Sequence, residues 1–566
     1  MSKYIRLRVI GVSSALVLLV AHIAAAQTSS VRKERFQRFV QAANRLAPHQ
    51  RAFLSSSMKN LMRFAARAGS ADADLEMEAE PTIEAWSVAA QSMALATAPP
   101  GGTIAVSNPS LDFRYSVLGG FTQSTSSSAR CGNSVVVGYE DTGAGFRAHA
   151  AFQDFDGVSA SADGGLTFSD LGHLDRGTDP TAILGGHPSV ACSSSSRFYY
   201  ASLFENDITN NTNCFPDCPM SGLSVSVSTN GGKTWANPVV PVLMDAFSHI
   251  VDKPWIAVDP TNPLQVYVTF TDFSNCTAID LVSSKDGGKT WSAPVILHQE
   301  CYPPGNIVTG SSVVVSPSGK VHVAYELIPP STSTLRQILY QRSLDHGQTF
   351  SAPLKVSDVV PIGDGSGNNF MQANLQAREF PQIAVDRTNG ASRGYLYIAW
   401  PDGRNHVKAD AFSGTYAYAD ILVARSTDIG LSFSVLPAVS AVPAGFTGRG
   451  RDQFAPGIAV DKTGKVAACY YDRRNDPQNM AIDRYCSVSI NHGATWSDLR
   501  ASNESWVPLD ADFLPQETGF SFFPAFTAAG GEYDSLTSDF LLVNPGFFGA
   551  FQIQADGNPN VVAKQF

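Results

Sequence analysis

Apolar and polar residues alternate with a period of two in short runs that return in a fixed order along most of the chain. One set reads PQIAVD from Pro381, GYLYIAWPD from Gly394, DILVARSTDIG from Asp420 and SFSVLPAV from Ser432. Another reads PWIAVD from Pro254, QVYVTFTD from Gln265, IDLVSSKDGG from Ile279 and TWSAPVIL from Thr290. Four strands of this kind in succession predict one antiparallel sheet, and their recurrence predicts a ring of such sheets, a β-propeller.

The third and fourth strands of each set are joined by a repeated phrase, S-x-[D/N]-x-G-x-[T/S]-[W/F]. It begins at Ser161, Ser228, Ser284, Ser343, Ser426 and Ser489, at intervals of 67, 56, 59, 83 and 63 residues. Inside it, Asp163, Asn230, Asp286, Asp345, Asp428 and Asn491 carry short side-chain oxygens that can accept from the turn's own N–H groups. The glycine that follows supplies the positive φ the turn needs, and the closing Trp or Phe packs between neighbouring units. These residues build the fold, because their acids face their own backbone rather than a substrate.

Six phrases make six blades. The tail adds FFPAFTAA from Phe522, DFLLVNP from Asp539, GAFQIQ from Gly549 and NVVAKQF from Asn560, a seventh set without the phrase. Seven four-stranded blades are therefore predicted. Six is the alternative, in which the tail and the stretch from Leu111 to Phe121 jointly complete one blade. The propeller is expected over residues 108–566, after the Pro99-Pro100-Gly101-Gly102 boundary. Before it, residues 27–107 form a helical prefix and a linker. The prefix carries nine Lys/Arg against one acid between Ser29 and Ala68, and Pro48 should divide it into two helices. It reads as a solvated helical prefix or, more sharply, as a removable pro-segment or a docking arm.

Residues 1–26 have the form of a signal peptide: Lys3, Arg6 and Arg8, an apolar run from Val9 to Ile23, then Ala24-Ala25-Ala26. Secretion or a periplasmic location is expected, with no membrane span after cleavage. A net charge of −10 argues against a nucleic-acid partner, since phosphate binding needs a basic surface. All eight cysteines lie in the exported part, with Cys214/Cys218, Cys276/Cys301 and Cys469/Cys486 as the simplest pairs.

In a propeller the first strands line the axis, so the approaches to them and the ends of the second strands converge on one mouth. These positions hold Asp252 and Lys253, Arg378 and Glu379, Arg451 and Asp452, then Glu140, Asp141, Asp272, Glu326, Asp402, Arg404, Asp472, Arg473 and Arg474. Asp472, Asn475 and Asp476, within YYDRRNDP from Tyr470, are oxygen donors suited to calcium or to a turn held by its own Asp–Arg pairs. No other cofactor is required by any motif.

The repeated phrase resembles the Asp-box, or BNR repeat, of the sialidase-like superfamily. The resemblance implies a propeller that recognises a glycan or glycoconjugate and, if it is an enzyme, hydrolyses sialic-acid-type linkages. Sortilin-type receptors and xyloglucan hydrolases also carry Asp-boxes, so the motif names an architecture. A non-catalytic propeller binding extracellular protein or polysaccharide is the alternative, and paired carboxylates of the xyloglucan-hydrolase kind are a third reading. Sialidases have six blades and an F/Y-R-I-P motif; this chain has instead Asp252-Lys253-Pro254 and Arg378-Glu379-Phe380-Pro381. The segment Gly531-Glu532-Tyr533-Asp534-Ser535-Leu536-Thr537 is similar to the Y-S-x-L-T segment around the sialidase nucleophile. By that resemblance Tyr533 is the nucleophile, Glu532 its base, Asp252 the acid/base, and Arg378, Arg404 and Arg473 grip an anionic sugar.

Overall fold

A computed structural model describes residues 102–108, 123–141, 155–179, 182–209, 217–303, 305–330, 335–363, 371, 375, 377–410, 414–440, 450–507, 534–555 and 558–566, with eleven positions of the prefix between Arg38 and Met58. Their strands form seven antiparallel sheets, six of four strands and one of five. The inner strands are, from blade 1 to blade 7, Gln123–Cys131, Ser189–Cys192, Ile250–Asp259, Ile307–Val315, Gln382–Val385, Gln453–Val460 and Ser535–Ser538.

The seventh blade closes the ring. Three of its strands come from the tail, and the outermost is Ile104–Ala105, which pairs with Ala563 and Val562. The propeller thus starts four residues before the expected boundary at 108, because a two-residue strand suffices to cover an edge that would otherwise lie open. Leu111 to Phe121 and the run from Phe522 lie outside the described residues. DFLLVNP is a turn and not a strand, since the Asp539 carboxylate accepts from the N–H groups of Leu541, Val543 and Asn544 and folds the segment on itself.

Each repeated phrase sits in the turn between the third and fourth strands of blades 1 to 6. In blade 3, Ser284 Oγ donates to Asp286 Oδ1 at 2.9 Å and accepts from Gly288 N at 2.8 Å, while Asp286 accepts from the N–H groups of Lys289 and Thr290 and from the Thr290 hydroxyl. These bonds, the Thr290 hydroxyl first, hold the Asp286 carboxyl down at about 2. Asn230 repeats the pattern and donates its amide to Thr234 Oγ1 at 2.8 Å. The glycine at the fifth position of the phrase has a positive φ in all six copies; at Gly430 a Cβ would lie 1.9 Å from the Tyr340 hydroxyl of blade 4. The closing aromatics bridge blades, as Phe433 does edge-on against Tyr340 at 4.9 Å and Phe168 against Phe548 at 5.7 Å.

Serines hook the inner strands together: Ser127 Oγ accepts from Val190 N, Ser189 Oγ from Ile256 N and Ser312 Oγ from Ile383 N. Disulfides join Cys131 to Cys192 across blades 1 and 2, Cys276 to Cys301 in blade 3 and Cys469 to Cys486 in blade 6. The last two are the pairs expected from spacing; Cys214 lies outside the described residues. The signal segment and most of the linker also lie outside them, and no described helix is long and apolar enough to cross a membrane.

The prefix is seated on the propeller. Helical turns at Gln41–Ala42 and Gln50–Arg51 are separated by a turn at Asn44–Arg45, and the Gln50 side chain accepts from Ala47 N at 3.0 Å in the manner of a capping box. Ala42, Leu54 and Met58 are fully buried in one cluster with Phe155, Ile183, Leu203, Ala246, Ile250, Phe273, Ile307 and Ile328. Burying Leu54 and Met58 contributes about 1.5–3 kcal/mol each. The prefix expected to be solvated is thus packed at these positions.

Candidate functional site

All seven inner strands line an axial channel of about 190 Å³. Its two ends differ. Where the inner strands end, the Asp539–Gly546 turn crosses the axis: Phe540 packs against apolar clusters of blades 1 to 3 and lies under the Arg387 guanidinium at 4.4 Å. Lys462 donates to Val543 O and Gly546 N to Asp461 Oδ2, so blades 5 and 6 hold the same turn. The end where the inner strands begin, the upper face, collects the chemistry-bearing residues that the sequence placed there.

Inner strands of blades 1, 3, 4 and 6 carry a bulge near their start, with Thr125, Lys253, Gly310 and Ala455 at positive φ. The bulge turns these side chains out of the ladder. Lys253 is fully buried: its Nζ stands 3.7 Å from Asp252 Oδ2 and 4.9 Å from the centre of the Phe380 ring, and its N–H donates to Asp252 Oδ1 at 2.8 Å. Phe380 lies over Gly310, where a Cβ would come within 2.3 Å of the ring. Blades 3, 4 and 5 therefore meet at Asp252, Lys253, Gly310 and Phe380.

Beside this junction lies a carboxyl pair. Glu326 and Glu379, both without exposed surface, share one guanidinium: Arg336 Nη1 hydrogen-bonds Glu379 Oε2 and stands 3.6 Å from Glu326 Oε1. Glu379 also accepts from Ile362 N at 2.9 Å, whereas neither oxygen of Glu326 has a hydrogen-bond partner. Burial raises the Glu326 carboxyl to about 8, helped by the charge of Glu379 and opposed by Arg336 and Arg378. An acid that holds its proton more tightly than usual thus lies beside a second carboxyl and near two arginines, Arg336 and Arg378. Thr309, opposite Glu326 in the ladder, touches Thr271 at 3.3 Å, and Thr271 lies opposite Asp252. Asp252 and Glu326 belong to one layer across blades 3 and 4.

The other expected residues are dispersed. Tyr533 and Glu532 lie outside the described residues; their neighbour Asp534 is buried, accepts from Ser126 Oγ at 2.9 Å and faces Arg484 at 3.8 Å. Arg378 is buried near Glu326. Arg404, on the second strand of blade 5, pairs with Asp402 at 2.6 Å and donates to Ser357 Oγ and the Asp358 carbonyl on the outermost strand of blade 4. Arg473 has no exposed surface: it donates to Asn479 O at 2.8 Å and lies 3.8 Å from Asp452, which also accepts from Tyr416 and Asn479. Arg404 and Arg473 are each matched to an acid of their own blade region instead of converging on one point.

In YYDRRNDP, Arg474 bonds Asp472 at 2.7 Å, and Asp476 accepts from the N–H groups of Gln478, Met480 and Ala481. That is turn chemistry. Among the described residues no group of three or more acids, histidines or cysteines is arranged to hold a metal ion. Sequence reasoning passed over Arg336. It stands at the start of a third strand, Arg336–Ser343, on the same upper edge as the second-strand ends, so extending the search to third-strand starts would have found it.

No protein-family model and no curated protein sequence matches the chain. Among solved structures it is similar to a polysaccharide-lyase family PL25 ulvan lyase, at 9% identity over 79% of this chain and 95% of that chain, with a TM-score of 0.45. It is similar to an α-L-arabinofuranosidase of Fusarium graminearum in complex with an iminosugar inhibitor, at 11% identity over 82% and 97%, TM-score 0.38. It is also similar to the sialidase of Trypanosoma rangeli in complex with the inhibitor DANA, at 12% identity over 71% and 58%, TM-score 0.36. At these identities and scores, none of them transfers a residue role to this chain.

Proposed function

We propose that this chain is an exported glycan-processing propeller that takes a glycan at its upper mouth and, following the resemblance of its repeated phrase to the Asp-box, acts on terminal sialic-acid-type linkages. The observation that carries the reading is Glu326: a buried carboxyl without a hydrogen-bond partner, beside Glu379 on a shared guanidinium. Glycoside hydrolysis needs one carboxyl that keeps its proton at neutral pH and a second group that attacks or activates water. Glu326 supplies the first. Tyr533 with Glu532 as its base, or else Glu379, supplies the second, and Arg378 is the arginine best placed for an anionic group. Asp252, with both oxygens engaged by Lys253, takes a positioning role more readily than a proton-donating one.

A binding propeller for glycan or extracellular protein is the second reading, favoured by the pairing of Arg404 and Arg473 with their own acids. Turnover of a fluorogenic α-sialoside by the mature protein separates the two. Hydrolysis that vanishes in Tyr533→Phe supports the sialidase-type scheme, and hydrolysis that survives there but vanishes in Glu326→Gln supports the carboxyl pair. Absence of hydrolysis for sialosides, arabinosides and uronic-acid glycosides alike would leave the binding reading, to be followed on a glycan array.

A further inference from the structure

We infer that the prefix, through Ala42, Arg45, Gln50, Leu54 and Met58, is a releasable cover that seals the carboxyl layer of blades 3 and 4 from solvent. The register of the ladders carries the argument. In blade 3, Ile250 pairs with Phe273, and two residues further along each strand Asp252 pairs with Thr271 on the same face. In blade 4, Ile307 pairs with Ile328, and two residues further along Thr309 pairs with Glu326. An apolar layer of four side chains thus lies one step toward the upper face from the layer that holds Asp252 and Glu326. Those four side chains form a single cluster with Ala42, Leu54 and Met58 of the prefix.

Two polar contacts fix the prefix there: Gln50 Nε2 donates to Ser274 O at 2.7 Å, just past Phe273, and the Arg45 guanidinium stands 4.2 Å over the Phe247 ring. Asp252 and Glu326 have no exposed surface in this arrangement, so a ligand could not reach either carboxyl. The cover is basic, with nine Lys/Arg against one acid from Ser29 to Ala68, while the chain as a whole is acidic. It is attached by a linker of more than forty residues before the ring begins at Ile104, so it can leave without disturbing ring closure. Release, by proteolysis in the linker or by a ligand competing for the apolar layer, opens the mouth over blades 3 and 4.

The test reads access and not turnover, so a chain that never hydrolyses a glycoside can still pass it. Full-length protein and its Leu54→Asp/Met58→Asp variant are treated with a carbodiimide and glycine ethyl ester, and labelled carboxyls are located by peptide mass spectrometry. Labelling of Glu326 is expected to rise at least tenfold in the variant, while Asp259 and Asp461, buried at the opposite face, stay unlabelled in both. Equal labelling of Glu326 in the two proteins overturns the cover. Should Asp259 and Asp461 also label, the variant has unfolded, and the milder pair Gln50→Ala/Leu54→Ala decides by the same criterion. A fluorescent peptide of residues 29–68 should then bind saturably to the vacated variant and not to the wild-type protein; equal binding to both also overturns the cover.

Discussion

Replacing Glu326 with Gln should make the propeller more stable, by an amount that grows with pH. In the unfolded chain a glutamate loses its proton near 4.3, whereas in the fold burial raises Glu326 to about 8. Below both values the carboxyl is neutral in both states and costs nothing. As pH climbs past the lower value the unfolded chain ionises first, and the fold loses about 1.4 kcal/mol per pH unit until its own group ionises. At pH 7 the loss is about 3.6 kcal/mol, and above pH 8 it levels off near 5 kcal/mol as an upper bound. Gln has nearly the same shape and does not titrate, so it escapes the loss. For a ring of roughly 450 residues, 1 kcal/mol shifts Tm by about 1 °C. Scanning calorimetry at pH 5.0, 7.0 and 8.5 should therefore show the variant's Tm advantage widening by about 3–4 °C between the first and last. A difference that stays flat or narrows with rising pH would refute the assignment of a buried, proton-retaining acid at this position.

Gly430→Ala should lower Tm by about 2–5 °C, since the added Cβ would stand 1.9 Å from the Tyr340 hydroxyl and at a positive φ; a melt within 0.5 °C of wild type would show that the two blades yield freely. Cys131→Ala/Cys192→Ala removes a crosslink that closes 61 residues between blades 1 and 2. The entropic model gives about 4 kcal/mol, read as a comparable loss in Tm under oxidising conditions and as no difference from wild type under full reduction. Lys253→Met should keep the packing against Phe380 but remove the ammonium 3.7 Å from the buried Asp252 Oδ2, so Tm should fall by about 3–5 °C; a melt within 0.5 °C of wild type would show that this buried pair contributes nothing.

The fold was legible because its signals are local. The alternation of each strand and the Ser–Asp–Gly turn chemistry between third and fourth strands are decided within eight or ten residues, and the structure places the phrases in that turn in blades 1 to 6. What escaped depends on distant parts of the chain. Ile104–Ala105 is too short to read as a strand and gains its identity only by pairing with Val562 and Ala563. Asp539 opens an apolar run that looks extended until its carboxylate gathers the N–H groups of the following residues. At the site, the acids and arginines of the upper edge could be named from strand ends, but their partners could not. Arg473 looks like a free cation in sequence and is matched to Asp452 by the ladder, while Glu326 looks like one acid among many and is set apart by what fails to bond it.

The clasp at Ile104 imposes an order on biosynthesis. The strand that completes blade 7 is made first and its partner at Ala563 comes almost last, 459 residues later. At about 5–20 residues per second, roughly half a minute to a minute and a half passes before the two can meet. Until then blades 1 to 6 can form pairwise while the ring remains an open arc whose first and last blades present bare faces. Any holding factor in the compartment where the chain folds would find its window there, and a nascent chain stalled before Asn558 would remain without the pairing that closes the circle.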